Sequence, residues 1–146
     1  QDKHDVILFA TKTKDYTWND MRGDVTPQMR AKHCHQDEDG FYMMSYGKKY
    51  YLKGGKRMGN VFDLPNLSAT DGERTGYNTQ KAKELISRFI LASTNEGDVV
   101  ADYYLGSGTT AKVCQELNRN FIGCDLNPKA IEITKARLNG GQQHCT

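Results

Sequence analysis

Apolar and polar positions follow two different rhythms along the chain, and the change comes near residue 68. Before it, apolar residues gather in short runs with polar breaks. Asp5-Val-Ile-Leu-Phe-Ala10 is one such run, long enough for a buried strand. Thr11 to Gln36 is mostly polar, with Tyr16, Trp18 and Met21 as its large anchors ahead of Pro27. Phe41-Tyr-Met-Met44 and Lys49-Tyr-Tyr-Leu52 flank Ser45-Tyr-Gly-Lys48, which predicts a β-hairpin with Gly47 in or beside the turn. Gly54-Gly55 ends it. Val61-Phe-Asp-Leu-Pro65 reads as extended, because Pro65 pushes its predecessor out of the helical region.

After residue 68 the spacing becomes helical between short apolar blocks. Leu85, Ile86, Phe89, Ile90 and Leu91 predict a helix from about Lys81 to Ser93, with Asn78-Thr79-Gln80 as its cap. Val99 to Tyr103 predicts a strand and Gly106-Ser107-Gly108 a tight turn. A helix from Thr109 to Leu117 follows, with Ala111, Val113, Cys114 and Leu117 facing inward. Asn118-Arg119-Asn120 breaks it. Phe121 to Asp125 predicts a second strand and Pro128 to Leu138 a last helix, with proline in its first turn and Gly140-Gly141 as its stop. Strand, helix, strand in that order implies a parallel pair joined by a right-handed crossover.

A glycine turn after a parallel strand sets the next helix's unpaired N–H groups at the sheet's carboxyl edge, where ligands of open α/β sheets bind. Gly106 and Gly108 permit the turn, and Ala111 stands where a third small residue belongs. A phosphate-cradling G-x-x-x-x-G-K-[ST] is absent from the sequence. Asp125, at the end of the next strand, is placed to accept from two ribose hydroxyls. Asp102, at the mouth of the turn, would repel a pyrophosphate and attract an ammonium. A ribose in the middle and an amino acid at one end describe S-adenosylmethionine. The bland alternative makes the turn merely a turn and Asp102 a helix-capping acid.

Composition changes the picture in three places. Residues 12–60 hold ten Lys/Arg and six acids with aromatics interleaved, a surface suited to a polyanion or simply a solvated lysine-rich face. The four cysteines, Cys34, Cys114, Cys124 and Cys145, form no C-x-x-C pair. They predict a reducing, cytoplasmic setting, and neither His33-Cys34-His35 nor His144-Cys145 has the spacing of a zinc site, so no metal is expected. No run of 18 apolar residues and no signal-like N-terminus is visible, and Gln1 in place of Met suggests a start inside a longer reading frame.

Arg74-Thr-Gly-Tyr-Asn-Thr-Gln-Lys81, Asp102-Tyr-Tyr-Leu-Gly-Ser-Gly-Thr-Thr110 and Phe121-Ile-Gly-Cys-Asp-Leu-Asn-Pro128 together resemble the amino-methyltransferases of DNA. The order is that of the permuted β class, whose catalytic motif and target-recognition region precede cofactor motifs X, I and II. The likeness is close over residues 61–139 and looser over 3–18, where His4 to Phe9 resembles the strand after the catalytic core. It implies a partial Rossmann-like S-adenosylmethionine-dependent α/β sheet with an inserted hairpin and irregular DNA-facing region. Its parts would be a strand region (1–18), a target-recognition segment (19–60) and a cofactor half-domain (61–146). It implies a cofactor set of Thr79, Gln80, Lys81, Asp102, Tyr104, Gly106, Ser107, Gly108, Thr109, Asp125 and Leu126; the candidate DNA contacts Lys48, Lys49, Lys53, Lys56 and Arg57 come from the basic, aromatic stretch, which matches no family motif. Ala82 departs from the family's proline, and Tyr103-Tyr104 from its Pro-Phe.

The family's D/N/S-P-P-Y/F/W motif, which holds the target amine and stacks on the flipped base, is missing, since the chain has no Pro-Pro. Asp63-Leu-Pro-Asn66 lacks the aromatic and reads as a strand-ending turn. The resemblance therefore implies the C-terminal portion of a prokaryotic or phage-like enzyme methylating adenine or cytosine in double-stranded DNA, with no catalytic residue of its own. A missing N-terminal half, a partner chain or self-association would complete the sheet. The alternatives are a non-catalytic nucleic-acid-binding remnant, or part of an RNA or small-molecule methyltransferase.

Overall fold

The computed structural model describes residues 5–68 and 70–140. His4, Gly141, His144 and Cys145, which entered the expectations above, lie outside them. In chain order the elements are α1 (Pro27–Lys32), β1 (His35–Asp37), β2 (Gly40–Ser45), β3 (Lys48–Tyr51), α2 (Lys83–Ser93), β4 (Val99–Asp102), α3 (Thr109–Glu116), β5 (Asn120–Gly123) and α4 (Pro128–Asn139). They divide into two compact units, Gln1–Asn19 with Gly72–Thr146, and Asp20–Asp71.

In the first unit, β4 and β5 pair in parallel, with Val99 opposite Asn120 and Asp102 opposite Gly123. The helices α2, α3 and α4 form one layer in which α3 touches both others and β5. Ile90, Val113 and Cys114 are the buried centre, with Ile86, Val100 and Leu117 packed around them. Alternation along the strands turns Val100 toward these helices and Val99 and Ala101 away. Val99 and Ile122 stay 58% and 62% exposed, so one face of the pair is uncovered. Parallel sheets ordinarily have both faces covered.

Two details of this unit differ from the sequence reading. Residues 5–10 form no strand; the run is open to solvent, with Val6 76% and Leu8 88% exposed. An apolar run becomes a strand only where an edge pairs with it, and none of the described strands does so here. Phe9 instead makes edge-on ring contacts with Tyr16 and Trp18, and Asn19 ties the segment to α2 through the Leu91 and Ala92 carbonyls. Second, Asn78-Thr79-Gln80 does not cap α2. The cap position falls on Ala82, whose side chain cannot accept, and the Glu73 carboxylate takes the Lys83 N–H instead at 3.2 Å.

The second unit is a three-stranded antiparallel sheet in the order β1-β2-β3. The predicted hairpin forms with Met44 opposite Lys49 and Ser45 opposite Lys48, leaving Tyr46-Gly47 as its link. The short α1 begins at Pro27 with Thr26 as a side-chain cap, a signal present in the sequence as Thr-Pro but carried by too short a segment for apolar periodicity to show. Segments 21–24 and 55–58 pair through Met58 N–H to Met21, and Gly55 N–H to Gly23.

Candidate functional site

Five consecutive events in the backbone build the site. β4 ends at Asp102, whose carbonyl accepts from Cys124 N–H at 3.1 Å. The chain rises through Tyr103 and Tyr104 and returns with Leu105 N–H donating to the Cys124 carbonyl at 3.1 Å. Leu105 is buried against Gly123, where any Cβ would sit 2.9 Å from its methyls. Gly106 and Gly108 then take left-handed φ values of 53° and 72°. α3 starts at once at Thr109, with Gly108 as its N-cap. Gly108 is doubly constrained, because a Cβ there would meet Thr134 Oγ1 at 2.5 Å.

The two carboxylates named from the sequence meet this turn. Asp125 Oδ2 accepts from Gly106 N–H, and its Oδ1 from Asn127 N–H, both at 2.8 Å. Asp102 Oδ1 accepts from Tyr104 N–H at 3.0 Å, and Oδ2 from the Thr110 hydroxyl at 2.6 Å. Each oxygen of a carboxylate offers two lone-pair sites, so each acid holds the turn and keeps acceptor capacity for a ligand. Both are half-buried. The helix-capping reading of Asp102 is thus partly realised, through the turn amide and a first-turn hydroxyl.

The backbone N–H of Asn127, and then that of Gly106, hold the Asp125 carboxyl below the ordinary aspartate value of 3.8. Since the folded value lies below the unfolded one, this lock is fully present above pH about 3.8 and is released as pH falls through the lowered value. The amide resonances of Gly106 and Asn127 are therefore expected to titrate together below pH about 4, and Asp125→Asn to remove that common step. Independent titration of the two amides would contradict the shared lock.

Other residues named from the sequence have different placements. Ser107 and Thr109 are buried, and both meet Arg137: its Nη1 donates to the Ser107 carbonyl at 3.2 Å and hydroxyl at 3.5 Å, and to Thr109 Oγ1 at 3.0 Å. The Thr109 hydroxyl also donates to the Lys81 carbonyl at 3.2 Å. Gln80 is committed to its own loop, accepting from Thr75 N–H and Oγ1 at 2.8 Å and donating to Glu73 O at 2.7 Å. Lys81 lies on the surface, 2.9 Å from Asp5. Thr79 is exposed, as are Tyr104 (90%) and Leu126 (fully). Sequence reasoning missed Thr134 and Arg137, which brace the turn from below. The sequence assigned no inward face to this helix, and polar side chains carry no apolar periodicity that would mark one.

A cleft of about 420 Å³ is lined by Glu73, Arg74, Lys83, Lys112 and Arg137, with neither Asp102 nor Asp125 in its lining. In the second unit, Lys48, Lys53, Lys56 and Arg57 are exposed. Lys49 is held by Asp37 at 2.5 Å and lies 4.7 Å over the Tyr42 ring, and Arg57 pairs with Asp20 at 3.1 Å. Among the described residues no group of three His, Cys, Asp or Glu side chains could hold a metal, and no helix is long and apolar enough to cross a membrane.

A parallel β–α–β unit with a left-handed glycine turn, locked to an acid at the end of the neighbouring strand, defines a partial Rossmann-like α/β fold of the methyltransferase type. The chain belongs to the N6/N4 DNA methylase family, whose sequence model matches residues 1–136. It is 42% identical over 138 residues to the type II methyltransferase M.HpaI of Haemophilus parainfluenzae, covering 94% of this chain and 38% of that protein. It is 41% identical over 134 residues to the DNA adenine methyltransferase YhdJ of Escherichia coli (strain K12), covering 92% and 44%. Among solved structures, the cytosine-N4-specific PvuII DNA methyltransferase shares the fold at a TM-score of 0.52 and 20% identity, over 62% of this chain and 34% of that one. The chain spans about two fifths of the length of these two curated relatives.

Proposed function

We propose that this chain is the cofactor-binding and DNA-facing portion of a site-specific DNA amino-methyltransferase of the permuted β class. In this reading the motif that holds the target amine lies outside residues 1–146, and the enzyme works in a bacterial cytoplasm. The observation that carries the proposal is the Asp125 lock on Gly106 N–H at 2.8 Å. It fixes an acid with spare acceptor sites against a turn that admits close approach, beside a second acid, Asp102. Both named relatives are methyltransferases.

S-adenosylmethionine is the ligand this arrangement fits. Asp125 would accept from both ribose hydroxyls, and the Gly106–Gly108 backbone would lie beneath the ribose and methionine. Asp102 would draw the ammonium. The unpaired amides of the first turn of α3, at the positive end of its dipole, favour the methionine carboxylate. Tyr104 and Leu126, both exposed, would cover the adenine. Gln80, Ser107 and Thr109 would shape the pocket through their own hydrogen bonds, while Thr79 and Lys81 would line its methionine end. When bound, the cofactor supplies an electrophilic methyl group, and this chain's part is to hold and orient it.

The uncovered face of the β4–β5 pair supports a missing half. Tyr103, Val99 and Ile122 there are more than half exposed. A covering segment from the same protein, a partner chain, or a second copy would bury them. For DNA, the 19–60 region offers Lys48, Lys53 and Lys56, with Arg57 shared with Asp20.

The test is calorimetry with S-adenosylmethionine and binding to duplex DNA across a salt series. Saturable heat, and an affinity for DNA that falls steeply with salt, are expected. No heat at millimolar cofactor would leave only the fold.

A further inference from the structure

Tyr46 and Gly47 link β2 to β3, and both have positive φ, 49° and 72°. Two positive φ values at the centre of a two-residue link match the right-handed twist of the flanking strands, and Asn, Asp and Gly are the residues that adopt them readily. Gly47 suits its place. Tyr46 does not, because a bulky side chain in the left-handed region is uncommon and strained. Its ring is 99% exposed, so folding recovers nothing from it by burial. A strained residue at a loop tip with no packing role is the pattern of a functional contact.

Its surroundings indicate what the contact is. Lys48 follows and is exposed, whereas Lys49 is already engaged by Asp37 and the Tyr42 ring. The tip therefore presents one aromatic face and one uncommitted cation on a narrow two-stranded ribbon. The major groove of duplex DNA admits such a ribbon, and base edges and stacked bases accept aromatic contact. We infer that Tyr46 is the leading contact of the hairpin in a DNA groove, its ring against the bases and Lys48 on a backbone phosphate. The inference rests on the DNA reading above and deepens it by naming the residue that enters the groove.

The test is fluorescence anisotropy of the 146-residue chain on a labelled mixed-sequence duplex over a salt series. Tyr46→Asn fits the left-handed position, so it should melt at or above the wild-type temperature while binding DNA about tenfold more weakly. Its salt slope should be unchanged. Tyr46→Phe should bind as wild type, and Tyr46→Gly, which also fits the turn, should behave as Tyr46→Asn. Lys48→Ala should instead lower the salt slope by about one. Wild-type affinity in both Tyr46→Asn and Tyr46→Gly would overturn the inference and leave the DNA reading standing. A Tyr46→Asn loss with the same slope change as Lys48→Ala would also overturn it. No binding by the wild-type chain would remove both.

Discussion

Asp125→Ala should weaken S-adenosylmethionine binding by roughly a hundredfold or more, the largest effect expected of any single change at the site. The substitution removes the acceptor of two ribose hydroxyls, and it also releases Gly106 N–H and Asn127 N–H, each bonded at 2.8 Å. Asp125→Asn keeps one oxygen but loses the charge and gains a donor, so it should fall between Ala and wild type. Calorimetry of the three proteins, with melting curves alongside, separates ligand loss from unfolding. The far-UV spectrum should be retained, because the buried centre at Ile90, Val113 and Cys114 is not touched. Equal affinity in all three would remove Asp125 from the ribose.

Gly55→Ala should unfold the 20–71 unit. Gly55 is buried, and a Cβ there would lie 2.1 Å from the Asp24 carbonyl oxygen and 2.3 Å from that of Gly23. Both atoms belong to backbone that Gly55 N–H itself holds at 3.0 Å, so no flexible side chain can give way. Overpacking against fixed backbone costs about 3 kcal/mol or more. The coupled ring signals of Tyr42 and Tyr51, 5.6 Å apart, should collapse, and DNA binding should go with them. Cofactor binding should persist, since the turn and both acids lie in the other unit. A variant that keeps the ring signals would show that the 21–24 and 55–58 segments part freely.

The α/β unit was legible because each of its signals is local. Gly106 and Gly108 announce the turn, Pro128 opens α4, and Ala111, Val113 and Cys114 mark the inner face of α3, all fully buried. The hairpin was legible for the same reason, from Tyr46-Gly47 between two aromatic runs. What failed was decided by partners distant in the chain. Val6 and Leu8 look like a buried strand, but pairing needs an edge, and no sequence pattern supplies one. Gln80 looks like a cap or a ligand group, yet its amide closes a loop with Glu73 and Thr75. Lys49 and Arg57 look like free cations, yet Asp37 and Asp20 lie beside them. Arg137 drew no reading from the sequence, and it holds the Ser107 carbonyl.

Asp102 and Asp125 are expected to serve two parts of one bound nucleoside–amino acid. A crystal structure of the chain grown with S-adenosylmethionine tests it most directly. The ribose hydroxyls should lie on the Asp125 carboxylate, the ammonium beside Asp102, and the ligand over Gly106 to Gly108. A cofactor bound in the Arg74–Lys112–Arg137 cleft instead, or one that reaches neither acid, would contradict it.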